Sequence, residues 1–397
     1  MNQTQSCIIQ VLNYALHGKT TAINENINWE ELIQECRNHQ IASLVYSGIS
    51  KDTLNNIEKP LLERWKKEIF MSGVYQINHI NQVSHVLSIF NENNIPVIVL
   101  KGLVIRDLYP KSELRTMGDA DILVNEKDLL KVSKILMGLG YKEEGRNAFH
   151  IEFGKGTSHI EVHWTLANES MFNGIVEFKN ELWSNSVAVN IGKSHALSMC
   201  DEDLLLYLFI HMAKHLKYSG FGIRQVCDVV LLIEDRWQFI NWRRFLNKSK
   251  RSGVEKFTLS MFIICNKLFK MTIPKDLNEY IAFDDKYIDV LIDEIFSNGV
   301  HGKVDKALER SKILTSNNEN NSVFKSIKDM YFPSIDKLSD KYEYVNKNKI
   351  LLPFAWIHRI INTIFRTDYS LSDKIKLSVK STGISKKHSE LLNWLEL

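Results

Sequence analysis

The stretch Gly118-Asp119-Ala120-Asp121-Ile122-Leu123-Val124 sets two acidic residues two apart and then turns wholly apolar. Side chains two apart on a strand leave the same face. A strand here therefore puts Asp119 and Asp121 side by side, with Cα atoms ~7 Å apart at the usual rise per residue. The apolar half belongs in a core, where a charge without a partner is costly. An Asp-x-Asp by itself more often marks a turn or a solvated edge. The Ile-Leu-Val run that follows makes this one the mouth of a buried strand.

Working outward, Ile95 to Leu100 (IPVIVL) is a short β-branched run of the kind that forms a buried strand. Lys101-Gly102 ends it, and residues 103–108 read as a short helix stopped by Tyr109-Pro110. A glycine at a strand-to-helix turn lets backbone N–H groups approach phosphate oxygens. On the other side, Asn125 caps an expected helix with Asp128 at its third position, in a capping-box-like arrangement. That helix ends near Gly138-Leu139-Gly140. Residues 149–153 and 158–164 read as strands of a hairpin turning at Gly154-Lys155-Gly156.

Glu161 lies in the second of these strands, within SHIEVHW. A neighbouring strand is only ~4.8 Å away, so Glu161 can close a triangle with Asp119 and Asp121. Three converging carboxylates repel one another unless a cation sits among them. Hard oxygen ligands suit Mg²⁺ or Mn²⁺ rather than zinc. Two such ions ~3.5–4 Å apart activate an attacking oxygen and neutralise a leaving phosphate, which points to phosphoryl-type chemistry.

The rest of the chain has helical period. Helices are expected over 7–16, over 29–39 behind an Asn28 cap, and over 63–90. They return at 201–218, from Val226 onward, across 242–272 and at 286–299. The Asn-rich tract 315–322 reads as an exposed loop, and 353–366 as an amphipathic basic helix packed on the domain. The expected division is an N-terminal helical segment (1–93), a central core (94–200) and a C-terminal helical domain (201–397). The fold class is α+β.

Fifty basic against 47 acidic residues leave a net charge of +3, too small to draw the chain to DNA. An anionic substrate must then be met by a local cluster. Cys7, Cys36, Cys200, Cys227 and Cys265 are odd in number and form no C-x-x-C, which argues for reduced cytoplasm rather than a disulfide framework. The longest apolar run, 204–210, is far below the ~20 residues that span a bilayer, and no signal peptide is evident, so a soluble cytoplasmic protein is expected.

In order along the chain, Leu100-Lys101-Gly102, Tyr109-Pro110, Arg115, the Asp119 to Val124 stretch and Glu161-Val162-His163-Trp164 resemble the uncharacterised bacterial nucleotidyltransferase family, within the DNA polymerase β-like nucleotidyltransferase superfamily. The resemblance covers roughly residues 30–240. It implies a nucleotidyltransferase-type mixed β-sheet core flanked by helices. Asp119, Asp121 and Glu161 take the metal-binding and catalytic roles, and Gly102 the phosphate-cradling one. Leu103 stands where a second glycine or a serine usually follows Gly102, so Lys101 supplies charge there instead. Arg115 matches a family arginine suited to a phosphate, or else pairs with Glu113 or Asp119.

The function implied is Mg²⁺-dependent transfer of a nucleoside monophosphate from a nucleoside triphosphate to a hydroxyl or phosphate acceptor, a peptide or a small molecule. The resemblance also supplies a second reading, glycosyl transfer from a nucleotide-sugar to a (phospho)peptide. A third is a nucleotide-binding module without catalysis.

Several polar residues remain. His159, Glu161 and His163 share one strand face, a conceivable but less favoured zinc set, and His163 could serve as base or orient Glu161. His211 and His215 share one helix face without the glutamate of a metalloprotease motif, and resemble a family histidine pair near the acceptor. Arg224 and Asp228, four apart, suit a helix ion pair, with Asp228 alternatively lining the acceptor cleft.

Overall fold

The computed structural model describes residues 1–24, 26–166, 175–281, 284–299, 351–356 and 387–397. Five helices come first: α1 (Gln3–Ala15), α2 (Trp29–Asn38), α3 (Ala42–Gly48), α4 (Lys51–Asn55) and α5 (Lys59–Glu92). Their starts follow local chemistry. Asn2 and Gln5 close a capping box on α1, and the Asn28 side chain accepts from the Glu31 N–H of α2, as its sequence suggests.

The sheet region follows with β1 (Val97–Val99), α6 (Gly102–Ile105), β2 (Ala120–Val124), α7 (Leu129–Gly138), β3 (Lys142–Arg146), β4 (His150–Lys155) and β5 (Ser158–His163). Next come α8 (Ile175–Ser184), β6 (Val187–Ile191) and β7 (Ser194–Ser198). The chain then returns to helices: α9 (Asp201–Tyr218), α10 (Ile223–Arg236), α11 (Trp242–Arg251), α12 (Glu255–Phe269) and α13 (Ile288–Asn298).

The seven strands form one mixed sheet in the order β3-β4-β5-β2-β1-β7-β6. β2 runs parallel to β5 and β1 parallel to β7, and the other neighbours are antiparallel. β1 and β2 are buried along their whole length, as the apolar run of β1 and residues 122–124 of β2 require, with the Asp121 carboxylate buried among them. The α7 start differs from expectation. Asn125 makes no cap hydrogen bond, a 3-10 turn occupies Glu126–Asp128, and the helix begins at Leu129.

The sheet separates two apolar layers. On one side Val83, Leu87 and Phe90 of α5 and Val132 and Leu136 of α7 pack on Val99, Ile122, Phe153 and Ile160. On the other, Ile98, Leu100 and Leu123 join a larger helical core. That core holds Leu12 and Cys36 together with Phe209, Phe245 and Phe262, so α1 and α2 share their interior with the helices after residue 200. Each such side chain stabilises the fold by ~1.5–3 kcal/mol on burial. The sheet thus gives the site a floor packed on both faces.

All five cysteines are free thiols. Among the described residues no helix is long and apolar enough to cross a membrane. The loop expected at 315–322 lies outside the described residues, as does most of the helix expected at 353–366.

Candidate active site

Parallel pairing of β2 with β5 sets Asp121 directly opposite Glu161. Residues in register on neighbouring strands share a face, so the two carboxylates come together without help from any loop. Asp119 precedes β2 by one residue and lies exposed at the strand mouth. One carboxylate oxygen from each of Asp119, Asp121 and Glu161 lies within 4.8 Å of the others.

The segment leading to Asp119 is held from α5. Gln76 accepts the Met117 N–H at 3.1 Å and donates to the Met117 carbonyl at 2.9 Å. The Tyr75 hydroxyl donates to the Gly118 carbonyl at 3.1 Å. Asp119 is thereby placed by backbone contacts, although it stands outside the sheet.

Two cations or potential cations meet the carboxylates. Lys101 Nζ lies 3.1 Å from Asp121 Oδ1. His163 Nε2 lies 3.0 Å from the same oxygen and 3.2 Å from Glu161 Oε2. Burial alone would raise the Asp121 pKa, but Lys101 and the His163 hydrogen bond hold it well below the carboxylate range. Glu161 is likewise lowered: the His163 hydrogen bond and His150 outweigh burial and the negative charge of Asp121. Burial would also depress His163 and Lys101, yet both are raised by the carboxylates around them. For Asp119 the cations Lys101 and Arg224 are the weaker influences. Its pKa is pushed up to about 6, first by the protein packed around it and then by Asp121 and Glu161. An all-oxygen set with surplus negative charge fits a hard divalent cation.

Lys101 carries another mark. Its φ of 43° and ψ of −112° fall where residues with a Cβ are strained by ~1–3 kcal/mol. Gly102 beside it is not the residue with positive φ; its need for glycine is spatial. A Cβ there would collide with the Arg115 guanidinium and the Met117 sulfur.

Arg115 clasps Asp228 of α10 through two hydrogen bonds, Nε to Oδ1 at 2.8 Å and Nη2 to Oδ2 at 2.7 Å. The Tyr109 hydroxyl donates to Asp228 Oδ1 at 2.7 Å. Neither alternative expected for an Arg115 ion pair, Glu113 or Asp119, is its acid. The Arg224–Asp228 helix pair expected from the spacing is replaced in the same way: Arg224 donates to the Gln40 side chain and the Thr116 carbonyl. Asp228 selects Arg115 because a planar guanidinium satisfies both carboxylate oxygens at once.

These groups enclose a cleft of about 340 Å³. Lys101, Gly102, Arg115 and the carboxylates line one part of it, and Tyr207, His211, Lys214 and His215 of α9 face them. His211 and His215 touch through their Nε2 atoms at 2.9 Å, and His215 Nδ1 lies 2.8 Å from Ser219 Oγ. Burial and the positive charge of Lys101 hold His211 well below the usual imidazole range, so it is neutral.

Residues 25–270 match the uncharacterised nucleotidyltransferase family. The chain belongs to that family. It is accordingly a transferase of the nucleotidyltransferase kind that uses a nucleotide donor. Comparison with curated protein sequences gives no match. Among solved structures the chain is similar to the antibiotic-resistance factor ANT(2'')-Ia, at 12% identity and a TM-score of 0.32, over 44% of this chain and 97% of that one. It is also similar to an antigenic nucleotidyltransferase-like protein from Paracoccidioides brasiliensis, at 11% identity and a TM-score of 0.31, over 49% of this chain and 94% of that one.

The structure thus gathers Asp119, Asp121, Glu161, Lys101, Gly102, Arg115, His163, His211 and His215 around one cleft. It does not bring in His159, whose Nδ1 contacts Glu144 Oε2 at 3.1 Å near the far end of the hairpin. His150 of β4 takes the place next to Glu161 and His163. His150, Tyr207 and Lys214 were not picked out from the sequence. For His150 the signal existed: counting outward from the turn at Gly156-Thr157 pairs it with His163.

Proposed function

We propose that this protein moves a nucleoside monophosphate from a nucleoside triphosphate to a hydroxyl or phosphate oxygen of an acceptor, with Mg²⁺ as the working ion. What supports the reading is the convergence of Asp119, Asp121 and Glu161, from two neighbouring strands, on one wall of the cleft. These three carboxylates would hold the divalent cations. When bound, such ions supply charge neutralisation for the donor phosphates and for the oxygen that attacks.

In the reaction, the acceptor oxygen bonds to the α-phosphorus as the bond to pyrophosphate breaks, and the acceptor proton passes to a cleft base or to water. The chain's own groups prepare that event. Lys101 and the backbone at Gly102 receive the donor phosphates, and Arg115 props the turn from behind because its charge is committed to Asp228. His163 fixes the Asp121 and Glu161 side chains against each other. His211, His215 and Lys214 line the opposite wall, where the acceptor enters. Five free thiols suit the cytoplasm as the compartment.

The test is mass spectrometry of hydroxyl- and phosphate-bearing acceptors, peptides included, incubated with Mg²⁺ and each nucleoside triphosphate or nucleotide-sugar. A gain of one nucleoside monophosphate with release of pyrophosphate, lost in Asp119→Asn, is expected. A gain of a hexose from a nucleotide-sugar would overturn the reading in favour of glycosyl transfer. Nucleotide binding without any product would overturn it in favour of a non-catalytic module.

A further inference from the structure

Glu161 faces two ways. Toward β2 it meets Asp121 and Asp119; toward β4 it meets imidazole. Antiparallel pairing of β4 with β5 sets His150 opposite His163, and Glu152 opposite Glu161. His163 Nε2 is 3.2 Å and His150 Nε2 3.8 Å from one and the same atom, Glu161 Oε2. The two rings are 4.8 Å apart and inclined at 56°, so they are not stacked, and each brings its Nε2 atom within 4 Å of the carboxylate.

Ligands ~2.0–2.2 Å from one ion sit roughly 3.0–3.5 Å from each other in tetrahedral or octahedral arrangements. One edge of the triangle already has that length. The second, at 3.8 Å, needs a closure of about half an ångström, and the third, between the two histidines, lies within 4.8 Å, both within the reach of the half-buried His150 side chain. Two further neighbours hold the same His150 nitrogen until an ion takes it. Glu152 Oε1 lies 3.2 Å from His150 Nε2, and the Asn147 amide lies 3.0 and 3.4 Å from the two ring nitrogens. Asp121 Oδ1 lies 3.0 Å from His163 Nε2 and could add a fourth ligand. His163 Nδ1 is buried without a hydrogen-bond partner.

We infer that His150, Glu161 and His163 form a second cation subsite, suited to a borderline transition ion such as Mn²⁺, Co²⁺ or Zn²⁺, joined through Glu161 to the all-carboxylate subsite. The donor atoms set the preference. Mg²⁺ takes oxygen ligands in strict octahedra and gains little from imidazole, whereas two imidazoles and a carboxylate hold transition ions well. The centre is therefore asymmetric, oxygen-rich at the β2 end and nitrogen-rich at the β4 end. Asp119 belongs only to the first subsite and His150 only to the second. The inference concerns binding alone and does not require that the transfer reaction be the one proposed above.

Pulsed electron paramagnetic resonance of the full-length protein loaded with Mn²⁺ tests it. The expected spectrum carries the nitrogen couplings of directly bound imidazole, diminished in His150→Ala. Calorimetry completes the test. His150→Ala should weaken Mn²⁺ and Co²⁺ binding by at least ~10-fold while Mg²⁺ binding holds, and Asp119→Asn should show the reverse pattern. His150→Gln, which keeps a polar side chain toward Glu152, guards against a folding defect. Absence of imidazole nitrogen couplings in the unaltered protein would overturn the inference, as would equal loss of Mg²⁺ and Mn²⁺ binding in both His150 variants. Failure of Mg²⁺ to bind at all would instead sink the proposed function and leave this subsite standing.

Discussion

Arg115 and Asp228 meet in a closed, two-point ion pair, whereas Asp119, Asp121 and Glu161 meet with more negative charge than Lys101 and His163 cancel. Both clusters touch the same cleft. In the first, a planar guanidinium and the Tyr109 hydroxyl satisfy the carboxylate, and burial seals the pair. In the second, the Asp119 pKa is pushed up to about 6, first by the protein packed around it and then by the acids Asp121 and Glu161. A saturated buried charge is a clamp that links the Gly102 turn to α10. A surplus of like charge at a cleft mouth is a socket for something positive. The difference lies in what surrounds each carboxylate, since the residue types are nearly the same.

The contrast is sharpest in Asp119→Asn. Under the proposed function turnover should fall on the order of 10³-fold, since a carboxylate that would hold the divalent cations is lost. Thermal stability should rise, because a carboxylate whose folded pKa exceeds its unfolded value destabilises the fold once pH passes above it. A melting curve beside a product assay checks both; a fall in stability would mean that Asp119 is as well partnered as Asp228.

Asp228→Ala should do the opposite to the fold. It leaves the Arg115 guanidinium buried with no acid, at a cost of about 3–5 kcal/mol measurable by urea unfolding. A loss below about 1 kcal/mol would show that Arg115 relaxes to water, and the clamp would lose its meaning.

Gly102→Ala probes how firmly that clamp holds. The added methyl meets a guanidinium that Asp228 pins, so overpacking should cost roughly 2–3 kcal/mol. Combined with Asp228→Ala the two losses should fall short of their sum, because the arginine is then free to move away.

His79 lies buried in α5, stacked on Tyr75 behind the Asp119 segment. Burial, with the positive charge of His159 next, lowers its pKa from 6.5 to about 4. As pH falls below 6.5 the unfolded chain takes up the proton first, so stability is full at neutral pH and is lost on the way down to pH 4. The loss should reach about 2 kcal/mol by pH 5 and be absent from the pH profile of His79→Leu. Equal slopes for both proteins would show that this imidazole is protonated as readily folded as unfolded.

Much of this arrangement is legible in the chain. The β1 and β2 runs, the hairpin of β4 and β5, the Asn28 cap and the whole of α9 follow from apolar period and local capping chemistry. β3 escaped because Lys142–Arg146 is charged and exposed; it is a strand only by pairing its backbone with β4 at the sheet edge. β6 and β7 escaped for a related reason, most of their side chains being exposed or half-exposed around a turn at Gly192.

Residue order alone specifies the groups able to do chemistry: two acids at the mouth of an apolar strand, a third on a second strand, and Lys101-Gly102 at a turn. Local rules suffice there, because strand period decides which side chains share a face. Which of these groups become partners is settled by packing. Parallel β2–β5 register brought Glu161 to Asp121, the hairpin register chose His150 over His159, and packing of α10 gave Asp228 to Arg115 rather than to Arg224. Spacing along a helix or strand offers a charged group its nearest candidates. Burial then makes saturation of its hydrogen bonds the stronger demand, and the partner able to meet it lay more than a hundred residues away in the chain.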